Sequence, residues 1–171
     1  PKPQTPNPKP HFLIVIQQMD GKSTKIEYRI LLCFTGSVAT IKDSELVGRV
    51  REALPSASLR LVFSGSARRF STLFRQKVPD APPIFVDEDE LTWSEKGDPV
   101  LHIELSKWAD LIVIAPLSAN SLAQISAGLC PTILPLILRA LPFSQGKYAK
   151  RVLFAPAMNS SMWAHPVTTE H

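Results

Sequence analysis

The stretch "ADLIVIAPLSANSLAQISAGL", residues 109–129, changes character twice along its length. Leu111 to Ala115 is a run of apolar and β-branched residues, the pattern of a strand buried on both faces. The run stops at Pro116, and a knot of small, mostly polar residues follows: Ser118, Ala119, Asn120 and Ser121. Helical spacing then resumes at Leu122, Ile125 and Leu129, which predicts a helix from about Ser118 to Gly128. The unit is strand, polar loop, helix.

The same unit recurs on either side. Arg29 to Phe34 reads as a buried strand ending in "TGSVAT", and the next helix sets Leu46, Val47, Val50 and Leu54 on one face before Pro55 closes it. A strand in "LRLVFS" and a helix in "GSARRFSTLF" follow, then a third strand in "PPIFVDEDE". "DPVLHIELSKWA" predicts a helix entered through Pro99, with Leu101, Leu105 and Trp108 on its apolar face. Beyond the opening stretch, "PTILPLILRAL" restarts helix at Pro131 and is kinked or broken at Pro135. "KRVLFAPAM" is the last strand, and "NSSMWAHPVTTEH" leads away from it. Strands alternating with helices at this spacing predict an α/β fold: a doubly wound, Rossmann-like or flavodoxin-like, mainly parallel sheet flanked by helices. Residues 29–171 form that single domain. Residues 1–28 hold a proline-rich tail and an extra apolar run, which Asp20-Gly21 could turn into a hairpin.

Composition excludes several classes of function. The 171 residues carry a net charge of only +4, dispersed in short pairs, which argues against nucleic acid as a partner. No apolar run is long enough to span a bilayer, and "PKPQTPNPKP" lacks the apolar core of a signal peptide. Cys33 and Cys130 sit in apolar settings, as expected of reduced, buried thiols in a cytoplasmic protein. The acidic run Asp87 to Glu90 has no second cluster at metal-ligand spacing, so it reads as a solvated loop and no metal is expected.

In a doubly wound sheet, ligands sit beyond the carboxyl ends of the strands. The residues there are "TGSVAT", "SGSARRF", "APLSANS" and "APAMNSSMW". Gly36 and Ser37 offer backbone amides and a hydroxyl at a helix start, which suits a phosphate, although such a pair is commonly just a turn. Ser64 and Ser66 could complete a phosphate cradle or simply cap the next helix. Ser118, Asn120 and Ser121 could bind a flat heterocycle with donors and acceptors; capping alone would need only one of them. His102 near a helix start can move a proton at neutral pH, or be a half-buried bystander. Asn159 and Met162 suit a ligand's polar end and apolar stem, or a cap and a core position. His165 before Pro166 reads as a turn. The three spaced glycines of a dinucleotide site and the lysine of a P-loop are both missing.

Three ordered motifs, "TGSVA", "DPVLHIELSKWADLIVIAPLSANSLAQISAGLC" and "APAMNSSMWAHP", closely resemble the homo-oligomeric flavin-containing cysteine decarboxylases. The similarity runs from about Arg29 to the end, and the Pro-Ala-Met-Asn motif points to the branch that acts on 4′-phosphopantothenoylcysteine in coenzyme A biosynthesis. The resemblance implies flavin mononucleotide (FMN) as cofactor. It places Gly36, Ser37, Val38 and Ser64 at the phosphate, and Ser118, Ala119, Asn120 and Ser121 along the isoalloxazine ring. His102 matches the family's active-site histidine; Asn159 and Met162 match the motif receiving the cysteine carboxylate. The implied chemistry oxidises the cysteinyl thiol to a thioaldehyde, which loses carbon dioxide on the way to 4′-phosphopantetheine. A homotrimer, or a heterotrimer with paralogues, is also implied, with histidine and asparagine meeting across a subunit interface. A second reading is a regulatory paralogue, inhibiting a type-1-like protein Ser/Thr phosphatase or partnering in a mixed trimer. A third is a peptidyl-cysteine decarboxylase.

The sequence departs from the pattern in three places. The family's clamp and its cysteine lie downstream of "TTEH", and neither Cys33 nor Cys130 matches that cysteine, so the domain is expected to be truncated before the clamp. Pro131 stands where the family has an acid, and Leu91 where it has an aromatic residue.

Overall fold

The computed structural model describes residues 28–76, 80–142 and 150–171. The tail and the Asp20-Gly21 hairpin lie outside the described residues. Five strands form one sheet: β1 (Arg29–Phe34), β2 (Ser58–Phe63), β3 (Ile84–Val86), β4 (Leu111–Leu117) and β5 (Arg151–Pro156). Their order is β3-β2-β1-β4-β5, and every neighbouring pair is parallel. The chain winds outward from β1 through β2 to β3, then returns to the other side of β1 for β4 and β5. This reversal opens a crevice at the carboxyl ends of β1 and β4.

Seven α-helices flank the sheet among the described residues: α1 (Asp43–Ala53), α2 (Thr72–Gln76), α3 (Leu101–Trp108), α4 (Ala119–Ser126), α5 (Ile133–Arg139), α6 (Ser160–Trp163) and α7 (Pro166–Glu170). Alternate side chains of each strand point to opposite faces, and both faces are covered. On one face Ile30, Leu32, Phe34, Leu61 and Phe63 pack with Val47, Val50 and Leu73. Phe34 and Phe63 stack with ring centroids 4.6 Å apart. On the other, Leu31, Cys33, Val62, Ile112 and Ile114 pack with Leu105, Ile133 and Ile137. Burial there pushes the Cys33 thiol well above its ordinary pKa.

The structure corrects several expectations drawn from the sequence. β4 does not stop before Pro116 but runs through a cis Ala115-Pro116 bond to Leu117, with a register irregularity against β5. The "GSARRFSTLF" helix is two pieces, a 3-10 turn at Ala67–Arg69 and α2. Between them Ser71 is fully buried and donates a hydrogen bond from its hydroxyl to the Asp43 carboxylate. That carboxylate also accepts from the backbone N–H groups of Thr72 and Leu73 and from the Thr72 hydroxyl, so it caps α2 from the neighbouring segment. Pro135 neither kinks nor breaks α5, because it falls in the first turn, where its missing N–H has no acceptor to lose. Cys130 is only half-buried.

The acidic run is not a solvated loop. It forms a 3-10 turn, Asp87–Thr92, and each of its four carboxylates has a partner. Asp87 accepts from Gly65 N at 2.8 Å and Ile133 N at 3.1 Å, joining the β2 loop to the start of α5. Glu88 pairs with Arg68 at 2.6 Å, and Asp89 accepts from Val86 N at 2.8 Å. Glu90 binds His102.

Candidate functional site

Thr35, fully buried, closes β1 and knits its loop to that of β4. Its hydroxyl donates to the Pro116 carbonyl at 2.7 Å and accepts from Ser118 N at 2.7 Å. Its carbonyl accepts from Ser37 N at 2.7 Å and the Thr40 hydroxyl at 2.8 Å. The loop after β1 then turns into a short 3-10 helix, Val38–Lys42, capped by Ser37. The Ser37 hydroxyl reaches across to donate to the Ala157 carbonyl at 3.0 Å, beyond β5. Ala157 N in turn donates to the Leu117 carbonyl at 2.8 Å. Three strand ends are thereby held in one arrangement by hydroxyls and backbone.

Between them lies a cleft of about 540 Å³, lined by Gly36, Ser37, Val38, Ala39, Ser118, Ala157, Met158, Asn159 and Met162. None of these residues is charged. What the cleft offers a ligand is hydroxyl, one amide, two thioethers and the backbone of Gly36 and Val38. Asn159 caps α6, its Oδ1 accepting from Ser161 N at 2.8 Å, which leaves its Nδ2 as the end available to an acceptor. Gly36 is required by a close approach: a Cβ there would lie 2.3 Å from Ser66 Oγ and 2.7 Å from Ser66 Cβ.

Of the residues singled out in the sequence, Gly36, Ser37, Val38, Ser118, Asn159 and Met162 come together on this cleft. Ser64 stands behind it, buried, its hydroxyl 3.2 Å from that of Ser66 and accepting from Ala67 N at 3.3 Å. Ala119, Asn120 and Ser121 form the first turn of α4. Ser118 caps that turn, accepting from Ser121 N at 3.3 Å and donating to the Ser121 hydroxyl at 3.1 Å, while Asn120 is exposed. Ser121 is buried, and its hydroxyl accepts from Ser118 without giving up its own O–H. His102 is not among the lining residues. It opens α3, after β3, with Nδ1 2.5 Å from Glu90 Oε1. His165 caps α7, its Nδ1 accepting from Val167 N at 3.3 Å. Thr35 and Glu90 were missed: a buried threonine at a strand end resembles any β-branched strand residue, and Glu90 sat inside what read as a solvated run.

The described residues fit a phosphate-bearing planar group. A crowded glycine, a capped helical turn and a neutral, small-residue lining leave room and donors where a larger or acidic side chain would obstruct both. The Flavoprotein family model matches residues 19–171. Phosphopantothenoylcysteine decarboxylase of Arabidopsis thaliana is 43% identical over 156 residues, covering 91% of this chain and 70% of the relative. The enzyme of that name from Oryza sativa is 44% identical over 144 residues, and this chain spans only 61% of its length. Among solved structures, a PPC decarboxylase mutant complexed with pantothenoylaminoethenethiol superposes with a TM-score of 0.75 at 43% identity, over 85% of this chain and 75% of that one. An FMN-binding protein, AtHal3, gives 0.75 at 42% identity, over 85% and 74%. A family match along nearly the whole chain, joined to this level of identity and the same sheet, means that the chain belongs to the flavoprotein family.

Proposed function

We propose that this protein is an FMN-dependent phosphopantothenoylcysteine decarboxylase, converting 4′-phosphopantothenoylcysteine to 4′-phosphopantetheine in coenzyme A biosynthesis. The observation that carries this reading is the neutral cleft at the β1, β4 and β5 carboxyl ends, in a chain whose relatives bear that enzyme's name. Gly36, Ser37 and Val38 would hold the FMN phosphate, Gly36 and Val38 through backbone N–H groups and Ser37, whose N–H is given to Thr35, by fixing the turn, with Ser64 supporting them. Ser118 and the first turn of α4, with Ala119, Asn120 and Ser121, would meet the ring. FMN supplies the two-electron chemistry at the substrate thiol when bound.

The protein's own groups bind, orient and move protons. Asn159 has its carbonyl oxygen committed to the α6 cap, so its NH2 is the group that receives the substrate carboxylate. Met162 gives the substrate stem an apolar contact. His102 acts as the acid–base group. Because His102 does not line the cleft of its own chain, a trimer in which a neighbour's His102 completes the site accounts for its position. The edge strand β5 leaves Phe154 49% exposed, and Met162 and Trp163 are also exposed, which suits burial against another subunit. Neither Cys33 nor Cys130 lines the cleft, so the thiol that the family's clamp contributes is assigned to neither. We propose a cytoplasmic location, which the two unpaired cysteines, Cys33 and Cys130, support. No observation favours the regulatory or the peptidyl-cysteine reading.

The test is incubation of full-length, FMN-loaded protein with 4′-phosphopantothenoylcysteine. Release of carbon dioxide together with 4′-phosphopantetheine is expected. A yellow, folded protein that yields neither, beside a working relative, would remove the enzymatic reading.

A further inference from the structure

Glu90 makes two bonds to the same residue. Its Oε2 accepts from His102 N at 3.0 Å, and its Oε1 lies 2.5 Å from His102 Nδ1. The two side chains are only 17% and 19% exposed. The first bond has a structural purpose: Val100 offers α3 no side-chain cap, so a carboxylate from outside takes one of the free N–H groups of its first turn. Capping does not need the second bond. That bond engages the ring, and the carboxylate making it is held by a bracketed segment: Asp87 tied to Gly65 and Ile133, Glu88 to Arg68, Asp89 to Val86 N.

We propose that Glu90 is a positioning residue for His102, holding the neutral imidazole as its Nδ1–H tautomer and leaving Nε2 as the atom that exchanges a proton with substrate. A carboxylate accepts only, so the ring nitrogen facing it must donate. The second nitrogen of a neutral imidazole is then the acceptor. The bond to the backbone fixes where the ring begins and the bond to Nδ1 fixes how it is turned. This assignment deepens the reading of His102 as the acid–base group and rests on it.

The test uses full-length protein and the variant Glu90→Gln, which keeps the size of the side chain and an acceptor for the cap but can also donate to the ring. In alkaline buffer, with the imidazole neutral, long-range ¹H–¹⁵N spectra should show His102 as Nδ1–H in the unaltered protein. In Glu90→Gln the Nε2–H form should gain population, with the thermal midpoint little changed. In the FMN-loaded enzyme kcat should fall roughly 10- to 100-fold with KM unchanged, the range typical of outer partners that orient a histidine. An Nε2–H ring in the unaltered protein overturns the proposal. So does a Glu90→Gln enzyme with full kcat when His102→Asn abolishes turnover. If His102→Asn retains full turnover, the acid–base reading of the histidine falls instead, and the tautomer still decides whether Glu90 holds the ring.

Discussion

The two ends of the sheet are built from opposite materials. At the amino end, charge is abundant and its bonds are taken. Arg29 donates through Nε, NH2 and its backbone N to Asp110, at 3.1, 2.9 and 3.0 Å. Lys150 Nζ donates to the carbonyls of Lys107 and Ala109 at 2.6 and 2.5 Å, and the Arg60 guanidinium lies 4.3 Å from the Trp108 ring centre. At the carboxyl end of β1, β4 and β5 the cleft lining is neutral, and its hydroxyls tie loops together while Asn159, capping α6 through Oδ1, keeps Nδ2 for an acceptor. One end consumes its polar groups internally. The other keeps some in reserve, which is the condition for binding something else.

The sharpest way to break this contrast is His102→Asn. With flavin retained, turnover should drop by about 10²- to 10⁴-fold, the usual contribution of an acid–base group. Loss of the yellow colour instead would mean that the histidine belongs to the binding half of the rim, and visible absorption decides it.

Asp43→Ala should come next in size, at about 3 kcal/mol of stability, because it orphans several buried donors at once. Burial works to raise the Asp43 carboxyl, but hydrogen bonds from Ser71, Thr72, Leu73 and Ser44 outweigh it and hold its pKa below the ordinary value. Its contribution is therefore complete above the ordinary carboxylate range and is lost as pH falls through the lower folded value. Urea midpoints compared at neutral and acid pH should show the gap between wild type and variant closing in acid. A gap that stays constant would mean the carboxylate's charge is irrelevant.

Gly36→Ala crowds the site before any ligand arrives. Its Cβ would force Ser66 away, so FMN affinity should weaken about tenfold or more, near 1.4 kcal/mol, and the thermal midpoint of the flavin-free protein should fall as well. Equal affinity by flavin titration would place the phosphate elsewhere.

Asp110→Ala is the mirror experiment at the amino end. Its partner Arg29 is 47% exposed and Asp110 37%, so the loss should stay below about 1 kcal/mol, with flavin binding untouched. An effect on FMN would show that the two ends are coupled.

Much of this architecture was legible because strands and helices write their periods into the chain. The run Leu111 to Ala115 and the alternation of Leu31 and Cys33 against Leu32 and Phe34 follow from burial on both faces of a parallel sheet. What misled was local: "GSARRFSTLF" has helical spacing, but Ser71 is drawn off by Asp43, a residue on another segment. Pro135 reads as a breaker only until its place in the first turn is known. The acidic run looked solvated because a carboxylate's partner cannot be read from its neighbours. Asp87 finds its partners on β2's loop and on α5, and Glu90 finds His102 twelve positions along the chain.

By itself the sequence determined the parallel α/β sheet, the strand ends where a site must lie, and the motifs that resemble a flavin enzyme. Those properties depend on periodicity and on residue order, both of which are local. The tertiary structure alone decided which small residues share the cleft, that Asp43 caps α2, and that a glutamate holds the histidine. Each of those depends on hydrogen bonds a few ångströms long between segments far apart in the chain, and a bond of that reach exists only once the backbone has brought its two ends together.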